Sequence, residues 1–118
     1  MKLIVAGGRD FVDTQMMITV LLDLVEKGKI DPNPELVCGM ARGADILAFR
    51  LWKSANMQIH VFRAEWDTYG KSAGFRRNKE MGEFADAAVC FWDGESKGTK
   101  HMIDIMNKLN KPVYVVRY

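Results

Sequence analysis

Met1-Lys2-Leu3-Ile4-Val5-Ala6-Gly7-Gly8-Arg9-Asp10-Phe11 opens the sequence. Lys2 to Ala6 is a short apolar run of the kind that suits a buried strand. Two glycines, an arginine and an aspartate break it at once, and the period then changes. Val12, Met16, Met17, Val20, Leu21, Leu24 and Val25 recur at helical spacing and stop near Gly28. A strand, a glycine turn and an amphipathic helix are the opening of a βαβ unit.

The rest of the chain repeats that unit. Glu35 to Cys38 is a short strand after the turn Asp31-Pro32-Asn33-Pro34, and Leu47, Ala48, Leu51, Trp52 and Ala55 form a second helix face. Gln58 to Phe62 is a third strand. A long loop from Arg63 to Ala73 leads into a third helix over Gly74 to Phe84. Ala87 to Phe91 is a fourth strand, Met102, Ile105, Met106 and Leu109 mark a fourth helix, and Pro112 to Val116 is the last strand. Short apolar strands alternating with helices imply a parallel sheet covered on both faces and joined by right-handed crossovers. The expected fold is therefore α/β, a Rossmann-like three-layer arrangement. It has a five-stranded parallel sheet in the order 3-2-1-4-5 with helices on both faces, in a single domain over residues 1–118.

Composition sets the outer bounds. The chain has 118 residues, 48% of them hydrophobic, which suits one domain with one real core. A net charge of +2 argues against a general nucleic-acid binder, which would hold phosphates through a larger basic excess. No apolar run approaches the roughly 20 residues that span a bilayer, so no membrane partner is expected. Two cysteines, Cys38 and Cys90, make no disulfide framework, and each ends an apolar run, so both read as buried free thiols. With no leader at Met1, these features predict a cytoplasmic protein. The eight methionines fall mostly on helix faces and read as core filler. Neither histidine, His60 or His101, has carboxylates or cysteines at ligand spacing, and no metal site or bound cofactor is expected.

The unusual residues gather after the strands. Strand one is followed by Gly7, Gly8, Arg9 and Asp10. Strand two is followed by Gly39, Arg42, Gly43 and Asp45. The long third loop carries Trp66, Tyr69 and Lys71, and the helix after it brings Arg76, Arg77 and Asn78. Strand four is followed by Trp92, Asp93, Gly94, Glu95, Ser96, Lys97, Gly98 and Thr99. In a parallel sheet all strand C-termini share one edge, and open α/β sheets bind ligands there. Glycines let backbone amides approach an anion, and each helix N-terminus favours negative charge. The arginines, lysines and hydroxyls add charge and donors, and Trp66, Tyr69 or Trp92 is placed to stack on a base. Plainer readings compete at each position. Gly7-Gly8 makes a tight turn, Arg42 pairs with Asp45, Asp10 and Asp45 cap helices, Thr99 caps the last helix, and Trp66 and Trp92 pack at the sheet edge. The recurrence of four such loops on one edge favours a phosphate or nucleotide site.

Taken together these loops resemble the SLOG superfamily and, within it, the small YspA/YpsA-related proteins, over nearly the whole chain. The resemblance rests on Gly7 to Phe11, on Gly39 to Asp45, on Trp66 with Tyr69 to Gly74, on Arg77-Asn78 with Met81, and on Asp93-Gly94 with Ser96 to Thr99. Phe75 departs from it, standing where the family commonly has proline. The LOG phosphoribohydrolases are similar at Arg77 with Met81 and at Gly98-Thr99. Where those enzymes carry a catalytic glutamate, three residues after the threonine, this chain has Met102. The resemblance thus implies a sensor or binding module for a nucleotide or nucleotide-derived small molecule. The amides around Gly8, Gly43 and Gly98 with Thr99 would hold its phosphate. Two alternatives stay open. One is a nucleotide-processing N-glycoside hydrolase using Asp10, Asp45, Asp93 or Glu95. The other is single-stranded DNA binding, since the DNA-processing protein DprA resembles this family in its first two glycine loops. Whether the protein is an enzyme is left open, and LOG-type relatives imply a homo-oligomer.

Overall fold

A computed structural model describes all residues from Met1 to Tyr118. The chain runs β1 (Lys2–Gly7), α1 (Thr14–Glu26), β2 (Glu35–Cys38), α2 (Ala44–Ser54), β3 (Ile59–Val61), α3 (Trp66–Tyr69), a 3₁₀ turn (Gly70–Ser72), α4 (Ala73–Phe84), β4 (Ala87–Trp92), α5 (Lys97–Lys108) and β5 (Val113–Arg117). The five strands form one sheet in the order β3-β2-β1-β4-β5. Every pairing is parallel. The expected fold class and strand order are those observed.

Two-residue alternation along the strands divides the core. Leu3, Val5, Leu36, Val89 and Phe91 face one side and pack with Met17 of α1 and with Ala44, Ala48 and Trp52 of α2. Ile4, Ala6, Val37, Ala88 and Cys90 face the other side and meet Met81 of α4 and Met102, Ile103 and Met106 of α5. Both faces of the central strands are thus buried, which is why they read as continuous apolar runs. Cys38 and Cys90 are buried free thiols.

Three local differences from the expected elements have simple causes. Helix α1 starts at Thr14 because Asp13 caps it, its Oδ1 accepting from the Met16 amide at 2.9 Å. Val12 therefore lies outside the helix and is 79% exposed. The stretch expected as a loop from Arg63 to Ala73 coils into α3 and the 3₁₀ turn before α4. The third strand is only three residues long, although the Phe62 amide still donates to the Cys38 carbonyl at 2.8 Å. At the far end of α4, Lys111 Nζ donates to the carbonyls of Gly82, Glu83 and Ala85. That satisfies the orphan carbonyls of the helix with a cation at its negative end. No helix is long and apolar enough to cross a membrane.

From β1 the chain moves outward to β2 and β3, then crosses back to β4 on the other side of β1. The order reverses between β1 and β4, and the crevice beyond their C-terminal ends is the natural ligand position of such a sheet.

Candidate ligand-binding site

A cleft of about 640 Å³ opens at that point of reversal. The β1–α1 segment gives it Gly7, Gly8, Arg9 and Asp10, and the β2–α2 segment gives it Ala41, Arg42 and Asp45. Helix α4 contributes Arg77, Asn78 and Met81. The β4–α5 segment contributes Asp93, Ser96, Gly98, Thr99 and Met102. Eleven of the sixteen expected site residues meet here. The other five do not line the cleft. Gly39 and Gly43 lie behind it, as parts of its frame. Gly94 is packed under the Arg117 guanidinium. Trp66 and Lys71 are carried away by α3 and the 3₁₀ turn, and Trp66 is 52% exposed.

The aromatic residues are engaged elsewhere. Trp92 donates its indole N–H to the Ser96 carbonyl at 3.0 Å, and Arg117 lies 5.2 Å from its ring. Tyr69 sits under the Arg76 guanidinium at 4.3 Å. The apolar walls of the cleft are instead Met81 and Met102, which are also core residues, so the reading of the methionines as filler alone is too narrow for these two. Met102, three residues after Thr99, is part of the cleft lining.

Arginine charge is concentrated in the cleft. Arg9 and Arg42 form none of the ion pairs of the molecule. Arg77 is fixed, its Nη1 donating to the Gly39 carbonyl at 2.6 Å and its Nε to Asn78 Oδ1 at 3.0 Å. Asn78 in turn donates from Nδ2 to the Gly98 carbonyl and stands 3.3 Å from His101 Nδ1. That contact suits an unprotonated Nδ1, and burial holds His101 below its ordinary pKa. Helix α5 begins at Lys97, one turn earlier in the chain than a cap at Thr99 would require. Ser96 is its cap, and Thr99 is buried beside it with the two hydroxyls 3.1 Å apart.

The carboxylates of the cleft have three different fates. Asp10 does not cap α1, and it accepts the Tyr118 hydroxyl at 2.6 Å. Asp93 Oδ1 accepts the amides of Glu95 and Ser96, both at 2.8 Å, and these bonds hold its pKa below the usual value. Asp45 lies in the first turn of α2 but is only 5% exposed, with its Oδ2 accepting from the Ala41 amide at 3.2 Å. It makes no ion pair with Arg42, and the charges that act on it are Arg77 and Arg9.

Burial pushes the Asp45 carboxyl up to about 6, against the pull of the Ala41 amide and Arg77. An acid with a raised folded pKa binds its proton more tightly in the folded protein. The stability it lends is present below the ordinary value of 3.8 and is lost as the pH rises through about 6. The loss amounts to about 3 kcal/mol for a shift of this size. Asp45→Asn is expected to remove this slope when thermal denaturation of both proteins is compared between about pH 4 and 7. Equal slopes in the two proteins would show that Asp45 titrates normally.

A doubly covered parallel sheet, with arginines, amides and a helix N-terminus converging at its switch point, defines a Rossmann-like α/β protein with a polar, cation-lined cleft. Residues 1–69 match the YspA, cpYpsA-related SLOG family, and the chain belongs to that family. It is also 32% identical to the Gene 61 protein of Mycobacterium phage D29, over 95% of this chain and 93% of that protein. No solved structure gives a significant match. Family membership points to a nucleotide-related ligand, bound or processed.

Proposed function

We propose that the cleft binds a nucleotide or nucleotide-derived ligand by its phosphate, and that the protein acts as a binding or sensing module. The observation that carries this reading is the set of Arg9, Arg42 and Arg77 in one cleft, with Arg9 and Arg42 outside every ion pair of the molecule. Guanidinium groups fork onto pairs of phosphate oxygens. The amides at the start of α5 lie beside them, where the helix dipole favours an anion. Native mass spectrometry of freshly purified protein weighs any ligand carried through purification.

Arg42 and Arg77 separate binding from folding. Arg42→Ala is expected to weaken nucleotide binding about 10- to 100-fold, the worth of one charged hydrogen bond, with circular dichroism and melting unchanged. Arg77→Ala is expected to weaken binding and also lower stability. It strips the Gly39 carbonyl of a 2.6 Å donor and the buried Asp45 of its main counter-charge. Arg77 is therefore not the clean binding probe that its sequence position suggests. Calorimetric titration of both variants checks this, and unchanged affinity in both would move the site elsewhere.

Asp45 favours a second reading, nucleotide hydrolysis. A carboxyl near pH 6 in a cleft has the pKa of a general acid or base. Met102 leaves the usual glutamate position empty of a carboxylate, and Glu95 stands outside the cleft. Chromatography of nucleoside monophosphates incubated with the protein would show release of free base under this reading, and intact nucleotide under the first.

A further inference from the structure

Tyr118 follows β5 and folds back over the β1–α1 segment. Its backbone amide donates to the Trp92 carbonyl at 3.3 Å, and its ring meets Phe11 edge-on at 4.9 Å between centroids. These contacts set the ring beside Gly8 and Asp10, which line the cleft. The hydroxyl then reaches Asp10 Oδ1 at 2.6 Å. It lies so close to Gly8 that a Cβ there would overlap it. The short bond joins residues 108 positions apart, and the ring is held from two sides. Burial, the bond to Asp10 and the charges of Asp10 and Asp93 all push the Tyr118 pKa upward. The phenol therefore stays a donor, and Asp10 Oδ1 is its acceptor.

We infer that Tyr118 positions the Asp10 carboxylate, and that Asp10 so held selects nucleotides carrying a free ribose hydroxyl. The inference rests on the nucleotide reading of the cleft. With Oδ1 committed to Tyr118, Oδ2 of Asp10 is free to accept a hydrogen bond from a ligand. A carboxylate accepts, so its partner must be a donor, and a second phosphate, itself an acceptor, does not suit that place. A nucleotide phosphate drawn to the arginines brings its sugar along the same cleft, and the 2′- and 3′-hydroxyls are the neutral donors that the sugar carries next to that phosphate. Dinucleotide-binding sheets read the ribose 2′-hydroxyl with a carboxylate too, there from an acid about 20 residues beyond the first glycine turn. A ligand that gives a hydroxyl to this carboxylate gains a charged hydrogen bond that its deoxy analogue lacks.

The test is calorimetric titration of the full chain with the 5′-mono- and diphosphates of adenosine, guanosine, cytidine and uridine, each beside its 2′-deoxy and 3′-deoxy counterparts. Wild type is expected to prefer at least one ribonucleotide over one of its deoxy forms by about 10- to 100-fold, one charged hydrogen bond. In Tyr118→Phe the ring against Phe11 remains and only the hydroxyl goes, so the fold should hold while the preference shrinks several-fold. Asp10→Ala, which leaves neither acceptor nor donor at that place, should bring the ribo and deoxy forms to equal affinity. A purely structural role for Tyr118 would lower stability without moving the ribo-to-deoxy ratio, and that outcome overturns the inference. Equal binding of ribo and deoxy forms by wild type overturns it too, and leaves the nucleotide reading intact. Binding of no nucleotide overturns both.

Discussion

Gly98→Val is expected to abolish nucleotide binding while the melting temperature barely moves. Gly98 is the second residue of α5 and lines the cleft, and a Cβ added there meets nothing within 4 Å. The space it would enter is the open cleft itself, beside the amides at the helix N-terminus. Valine is a better helix residue than glycine, so the helix loses nothing. A branched side chain would occupy the place of a phosphate oxygen and its approach to the amides. We expect a loss of at least about 100-fold in affinity, read by calorimetry. Wild-type affinity in Gly98→Val would show that this turn is not the phosphate cradle.

Gly43→Ala is expected to damage the fold itself. Gly43 has a φ of +89°, a conformation that L side chains rarely adopt. An added Cβ would overlap the Gly8 carbonyl oxygen and stand 2.7 Å from the Arg9 Cα. Those are backbone atoms, and the same carbonyl accepts the amides of Phe11 and Ala44, each at 3.2 Å. The β1–α1 segment cannot yield without breaking these bonds and leaving the cleft. Strain at positive φ and overpacking together cost about 2–6 kcal/mol, a large part of the stability of a domain this size. Chemical denaturation measures it. A shift under about 0.5 kcal/mol, the level of a neutral surface change, would mean that the two segments are not locked together.

The contrast between these glycines bears on what the sequence can reveal. Both stand in glycine-rich turns before helices, and both read as phosphate-approaching positions. Only the tertiary contact between the second turn and Gly8 assigns Gly43 to the frame and leaves Gly98 facing the cleft. The strand order and parallel pairing were legible because each apolar run is short, ends in glycine or polar residues and is followed by a helical period. The loops that share one edge followed from that order. The segment from Trp66 to Ser72 was not, since a four-residue helix and a 3₁₀ turn carry too few residues to show a period. Trp66 and Lys71 were therefore set in the site by their loop rather than by their direction. Asp45 reads as an ordinary helix-start acid, and its burial beside Arg77 is a tertiary outcome that its local sequence does not show. The Tyr118–Asp10 bond spans nearly the whole sequence, and no local pattern announces such a pair.

The most direct measurement is a two-dimensional amide NMR titration of the labelled protein with nucleoside 5′-phosphates and with the parent nucleosides. The phosphates are expected to shift the amides of Gly8, Arg42, Ser96, Gly98 and Thr99, which lie around one cleft in the fold but are scattered along the chain. The nucleosides, without the anion that the arginines attract, are expected to shift them far less. Contradiction would take one of two forms. Nucleosides and nucleotides would act alike, or the shifts would fall in the apolar groove between α1 and α2, around Leu22 and Trp52, with the arginine cleft unmoved.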